Sequence, residues 1–288
     1  MLSRKRFFKQ AALTASGLLA GPALLEAAEY FNPLRLTILH TNDTHSRLEP
    51  FPMDGGRNQG MGGIASRARL ISQVRQEEEQ VLLLDAGDIF QGTPYFNIYK
   101  GEPEIKAMTL LGYDACTIGN HDFDAGMENL ATQLTKHARF PMLVCNYDFS
   151  STPMENKTEP YRVIRKGKLT IGLLGVGIEG KGLIPDNLFG NTRYLDPVQK
   201  ANETAEFLKK SKKCDMVICL SHLGNQYKET DKPSDEILAK ESENIDLIIG
   251  GHTHTFLDQP QVYKNKNGSD VVVNQVGFAG LILGRLDF

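Results

Sequence analysis

Five short apolar runs in this chain end in groups that resist burial. "HTNDTHS" (40–46), "DAGDIFQGT" (85–93), "GNHDFD" (119–124), "SHLGN" (221–225) and "GGHTHT" (250–255) place Asp43, His45, Asp88, Asn120, His121, Asp122, Asp124, His222, His252 and His254 at or just past those runs. Carboxylate, imidazole and amide oxygen without thiolate form a ligand set suited to Mn, Zn, Fe or Co rather than to a structural zinc site. The groups are too many for one ion. Two divalent ions sharing a carboxylate, about 3.5–4 Å apart, would use them and would clamp a phosphoryl oxygen. No single motif carries this reading, because an isolated Asp-x-His after a strand is commonly a solvated loop or a helix cap. Their joint occurrence carries it. Gly119 allows a tight turn that lets the polar groups after it face one way. His252 and His254, at i and i+2, share a side if their segment is extended. Three further candidates receive structural roles: Asp85, inside an apolar run, satisfies loop amides; His40 is a packed strand residue; His137 lies on a polar helix at the surface.

The elements that must position these groups can be read around them. Apolar runs at 34–40, 81–87, 113–119, 140–146, 215–221 and 244–251 read as buried strands. Segments of helical periodicity at 63–79, 101–112, 125–138 and 196–211 lie between them, which implies βα units with helices packed outside a sheet. Two stretches break the alternation as antiparallel hairpins: 161–176, turning at Lys166–Lys168, and 261–288, turning at Asn267 and Gly268 and ending in a strand over 281–288. Ligands of open α/β sheets bind beyond the carboxyl ends of the strands, so groups distant in sequence would meet there.

With 288 residues, 41% hydrophobic and 23% charged, the chain can bury a sizeable core. Its body has no apolar stretch of about 18 residues, which speaks against stable membrane insertion. Residues 1–29 differ from the rest. Arg4, Lys5, Arg6 and Lys9 precede a short apolar stretch, the order of an export signal. "SRKRFFK" resembles the twin-arginine signal with Lys5 in place of the second Arg, which leaves the general secretory route open. A periplasmic or extracellular location follows as an expectation. The net charge is −3, and about −5 without residues 1–29, so no electrostatic footprint for polymeric nucleic acid exists. The four cysteines, Cys116, Cys145, Cys214 and Cys219, sit in or beside apolar runs and read as free thiols.

"LTILHTNDTHSRL" (36–48), "YDACTIGNHDFD" (113–124), "GD", "SHLG" and "GHTH", in that order, resemble the metallophosphoesterase domain of the 5′-nucleotidase family within the calcineurin-like phosphoesterases, over residues 34–288. Asp122 stands where the family usually has Glu. The resemblance implies an α/β fold, a layered α-β-β-α sandwich with the metal site at the strand C-terminal ends, in one domain spanning 30–288. It implies that Asp43, His45, Asp88 and His254 hold one ion, that Asp88, Asn120, His222 and His252 hold the other, and that Asp88 bridges. His121, left without a metal, becomes the proton donor or charge stabiliser at the leaving oxygen. The family points to Asp124 as the carboxylate that orients it. Asn120 and His121 would also contact the substrate. The implied activity is a phosphomonoesterase releasing phosphate from nucleotides or related small esters by in-line attack of a metal-activated hydroxide. A phosphodiesterase or pyrophosphatase, or a non-enzymatic binding subunit, are the alternatives. Full-length relatives carry a C-terminal domain whose aromatic residues hold the base, so a separate polypeptide of that type is an expected partner. Phe123 and Tyr95, beside the site loops, are candidates for a partial substitute.

Overall fold

The structure, a computed structural model, describes residues 35–229 and 231–288. The expected export signal over residues 1–29 lies outside the described residues. In strands β1 (Thr37–Thr41) and β2 (Val81–Asp85) every residue is buried, and the two run parallel with Ile38 opposite Leu82. Burial on both faces explains why these runs read as continuously apolar. Alternate residues separate: Ile38, Leu82 and Leu84 face a second sheet, whereas Leu39 and Leu83 face helices.

The first sheet adds β3 (Ala115–Cys116), parallel to β2, and the C-terminal β12 (Gly284–Asp287), antiparallel to β1. Helices α1 (Ile64–Glu77), α2 (Pro94–Tyr99), α3 (Glu102–Leu111) and α4 (Met127–His137) belong to its β-α connections. Ile71, Phe96, Ile105, Met108, Leu130 and Leu134 join Leu39 and Leu83 in one apolar cluster. The expected helices at 63–79, 101–112 and 125–138 are present within two residues at each end. The short α2 has no counterpart in the sequence reading.

The second sheet runs in the order β10-β11-β9-β8-β6-β5. Its hairpins are β5 (Tyr161–Lys166) with β6 (Leu169–Val176), and β10 (Gln261–Lys264) with β11 (Asp270–Asn274), both antiparallel as expected. Gly167 and Gly268 take positive φ at the turns. Strands β8 (Met216–Ser221) and β9 (Leu247–Gly250) lie parallel between β6 and β11. Helices α6 (Pro197–Lys210) and α7 (Asp235–Glu241) cover its outer face through Ala201, Ala205, Leu208 and Leu238. Between the sheets, Ile38, Leu84, Leu143, Leu173, Leu220 and Ile249 form a third cluster. The result is the α-β-β-α sandwich.

The run at 140–146 does not form the strand its apolar character suggests. Its backbone groups divide among three partners: Leu143 N–H donates to Cys116 at 2.7 Å, Val144 to Glu159 at 2.9 Å and Cys145 to Gly175 at 2.8 Å. The segment crosses from one sheet to the other, so no ladder extends along either. A two-stranded ribbon, β4 (Tyr147–Asp148) with β7 (Arg193–Tyr194), follows it. α5 (Asp186–Phe189) precedes β7. His137 is also corrected: it ends α4 half-buried, with Nε2 4.0 Å from Glu102. All four cysteines are free, as expected.

The loops after β2 and β3 are joined by one buried side chain. Asp122 accepts backbone N–H groups from Ile89 (2.9 Å) and Phe90 (3.1 Å) on Oδ1, and from Asp88 (3.1 Å) and Gly119 (2.8 Å) on Oδ2. Nothing in the sequence marks Asp122 for this role over its neighbours. Asp85 does satisfy a loop amide, Gly87 N–H at 2.9 Å, and takes the Thr41 hydroxyl at 2.6 Å. Asp122→Asn would leave two of the four buried N–H groups without an acceptor, at about 1–3 kcal/mol each. Urea unfolding of the metal-free protein should show a loss of about 2–6 kcal/mol on that basis; an unchanged midpoint would show that Asp122 is not what holds the two loops.

Candidate metal centre and active site

Seven proposed ligands come from five loops at the C-terminal ends of β1, β2, β3, β8 and β9, and five of the seven adopt left-handed backbone conformations. Asp43 (φ 48°), His45 (46°), Asp88 (56°), His252 (73°) and His254 (52°) all have positive φ. Non-glycine residues rarely sit there, and clustering of such strain is characteristic of functional sites. The extended segment expected for His252–His254 is therefore absent. The two imidazoles still enter one pocket, but they join different ligand groups.

Asp43, His45 and His254 form the first group and Asp88, His222 and His252 the second, each with ligand atoms mutually within 4.8 Å. In the first, His45 Nε2 and His254 Nε2 lie 2.9 Å apart, and Asp43 Oδ1 is 3.4 Å from His254 Nε2 and 3.9 Å from His45 Nε2. In the second, His222 Nε2 is 3.1 Å from Asp88 Oδ2, and Asn120 Oδ1 is 2.9 Å from His252 Nδ1. Asp88 Oδ2 also lies 3.9 Å from His45 Nε2, so it stands between the groups.

Four of the proposed ligands are aimed by further hydrogen bonds. His222 Nδ1 faces the Ala86 carbonyl at 2.7 Å and His45 Nδ1 the Phe90 carbonyl at 3.2 Å. As donor contacts these leave both Nε2 atoms bare. Asp43 accepts the His252 N–H at 3.0 Å and the Asn42 amide at 2.7 Å, while Asp88 Oδ1 accepts the His121 N–H at 2.8 Å. Asn42 also ties the β11–β12 loop to the site, accepting the Val276 N–H at 3.0 Å and donating to Gly277 at 2.6 Å. Gly119 is required by close approach, since a Cβ there would stand 2.1 Å from Asp88 Oδ1.

The electrostatics of the floor demand positive charge. Burial pushes the Asp88 carboxyl up, but the charge of His222 and its proximity outweigh it and hold Asp88 far below the usual carboxylate range. Burial likewise opposes charge on His222, yet Asp88 and Asp43 raise that imidazole to about 10. His222 Nε2 is nonetheless buried without a hydrogen bond of acceptable geometry. His252 is depressed to about 4 by burial and then by the charge of His222; His45 is lowered, burial outweighing Asp88 and Asp43. A bare imidazole nitrogen, two apposed imidazole nitrogens and two buried carboxylates fit divalent ions. Those ions would replace the proton on His222 as the source of positive charge.

His121 and Asp124 form the rim, with side chains 39% and 29% exposed and Nδ1 2.9 Å from Oδ2. That contact, more than compensating burial, raises the His121 pKa. His40 is a fully buried strand residue held at about 4 by burial, as its structural assignment requires. Phe123 is corrected: it is completely buried, edge-on to Phe189 at 5.1 Å, and no ligand can stack on it. Tyr95 donates to Glu49 at 3.1 Å. Among the described residues, Phe278 is the aromatic side chain stacked on a proposed ligand, His254, at 5.0 Å and 16°, with Phe256 edge-on beyond it at 6.0 Å. Both lie outside the sequence motifs, and no spacing could have paired Phe278 with His254.

The profile of the calcineurin-like phosphoesterases matches residues 36–256. A snake venom 5′-nucleotidase of Gloydius brevicauda is 35% identical over 271 residues, covering 88% of this chain and 45% of its own length. The solved 5′-nucleotidase precursor of Thermus thermophilus superposes with a TM-score of 0.80 at 35% identity, over 88% of this chain and 51% of its own. The NAD nucleotidase of Haemophilus influenzae gives 0.77 at 27% identity, over 88% and 52%. The chain thus spans about half the length of the relatives it matches. Matched from β1 to the loop beyond β9, with these relatives on the same α-β-β-α frame, the chain belongs to the calcineurin-like phosphoesterase family and is homologous to 5′-nucleotidases.

Proposed function

We propose that this chain is a dinuclear, metal-dependent phosphomonoesterase of the 5′-nucleotidase type. The observation that supports it most is the position of Asp88 Oδ2 between two imidazole-bearing ligand groups, with the His121–Asp124 pair at the open rim. Asp43, His45, Asp88 and His254 would hold one ion, and Asp88, Asn120, His222 and His252 the other. When bound, two such ions supply charge neutralisation and an activated water for in-line displacement at phosphorus. The protein's own part is to hold these ligands, to keep the floor dry, and to deliver a proton. An alkoxide leaves poorly unless protonated, and His121 Nε2 is the free end of an imidazole whose Nδ1 is fixed by Asp124. The phosphate-facing groups recognise phosphate alone. Selection of a nucleoside therefore calls for a base-binding module in the same assembly, and the exported setting expected from residues 1–29 suits extracytoplasmic nucleotides.

Three outcomes test this. Purified protein should carry about two transition-metal ions per chain, and chelation should abolish hydrolysis of p-nitrophenyl phosphate and nucleoside monophosphates; full activity with one ion or none contradicts it. Preferential hydrolysis of bis-p-nitrophenyl phosphate or a dinucleotide in the same assay would instead favour a diester or pyrophosphate substrate. His121→Ala should lower kcat for AMP by about 10²–10⁴ with metal content retained, and should cost less for p-nitrophenyl phosphate, whose leaving group needs no proton. Equal losses would mean that His121 stabilises the phosphoryl group. Finally, a general acid acts while protonated, so activity falls as pH rises through its pKa. Because Asp124 raises that pKa, Asp124→Asn should move the alkaline limb of the kcat profile to lower pH. A limb that stays in place separates His121 protonation from turnover.

A further inference from the structure

Asp235 is a buried acid that the proposed chemistry does not use. It opens α7, and its backbone N–H donates to the Gly224 carbonyl at 2.8 Å, just beyond His222. Its side chain is fully buried, and neither carboxyl oxygen makes a hydrogen bond of normal geometry. The polar group facing it is the Ser221 hydroxyl. On its other side lies Gly250, where a Cβ would stand 2.0 Å from Asp235 Oδ2. Ser221 and Gly250 are opposite residues on the last rung of the β8–β9 ladder. His222 follows directly on β8, and His252 lies just past Gly250. The Asp235 carboxyl thus sits against the two strand ends that deliver the histidines of the second ligand group.

Burial pushes the Asp235 carboxyl up to about 8 despite the Ser221 hydroxyl facing it, because a buried carboxylate is costly unless a nearby cation offsets it. Electrostatically Asp235 acts on His222 of the second group and on Asp43 of the first; its place against Gly250, opposite Ser221, is what ties it to the second. We infer that Asp235 is a positioning residue for the second metal position: its carboxylate braces the strand ends bearing His222 and His252 and adds negative charge beneath the ion they would hold. This inference rests on the dinuclear reading above. It also gives a reason for glycine at position 250, where any side chain would displace the carboxyl.

The test is Asp235→Asn, which keeps the shape and removes the charge. Metal-free full-length protein is titrated with Co²⁺, followed by visible absorption and by competition with a chelator. Wild-type protein should bind two ions. The variant should bind the first as wild type does and the second about 10–100-fold more weakly, the range for outer partners of metal ligands. Its metal-free urea midpoint should be retained, and added Co²⁺ should restore turnover. Two ions bound with wild-type affinities would overturn the inference and leave the dinuclear reading intact. Equal weakening of both, with a lowered urea midpoint, would show a general structural role and overturn it too. Fewer than two ions on the wild-type protein would remove both.

Discussion

Two carboxylates, Asp43 and Asp88, lie side by side almost without exposure, and the burial that opposes charge on Asp88 is outweighed only by positive charge brought to it. The surrounding acids sharpen that demand. Burial drives Asp85 up to about 7 despite the hydrogen bond from Thr41, and burial together with the charge of Asp88 drives Asp122 up to about 7. Without divalent ions the answer is a proton on His222, the nearest imidazole to Asp88. With ions, the same nitrogen would be free to serve as a ligand. The dense arrangement of buried acids beneath the ligand loops is intelligible as the scaffold of a cationic centre, and costly as anything else.

The sandwich meets this constraint through its topology. Parallel strands from two sheets end at one edge, and each contributes a loop: Asp43 and His45 after β1, Asp88 after β2, Asn120 and His121 after β3, His222 after β8, His252 and His254 after β9. The loops are too short to aim their side chains by chance. Buried polar groups aim them instead: Asp122 for the second and third loops, Asn42 between the first loop and the β11–β12 loop, and the Ala86 and Phe90 carbonyls for two of the imidazoles. Left-handed backbone at five ligands, unfavourable in isolation, is held by these contacts.

How much of this the sequence discloses depends on the range of the interaction. Most strands of the two larger sheets and the four long helices follow from local apolar periodicity, though the run at 113–119 yields a strand of two residues and the β4–β7 ribbon has no such signal; the residues that meet at the site follow from polar motifs repeated at strand ends. What local pattern could not disclose is partnership across the chain. The 140–146 run has strand composition, yet its hydrogen bonds are split between two sheets. Local pattern does not separate Asp122 from Asp124; the family resemblance points to Asp124 for His121, and the fold alone shows Asp122 turned toward four backbone amides. Phe123 lies within a site motif but points into the core, whereas Phe278, outside every motif, lies against His254. The backbone strain at His252 and His254 also escapes composition, because positive φ at histidine has no sequence signature.

The central claim is that Asp88 is shared by two ions. Electron paramagnetic resonance of the protein loaded with two equivalents of Mn²⁺ examines it directly, because a bridging carboxylate holds the ions about 3.5–4 Å apart and couples their spins. A coupled dinuclear spectrum that collapses to isolated Mn²⁺ in Asp88→Asn is the result this account predicts. Two bound ions giving only the uncoupled signal of separate Mn²⁺ in the wild-type protein would contradict it.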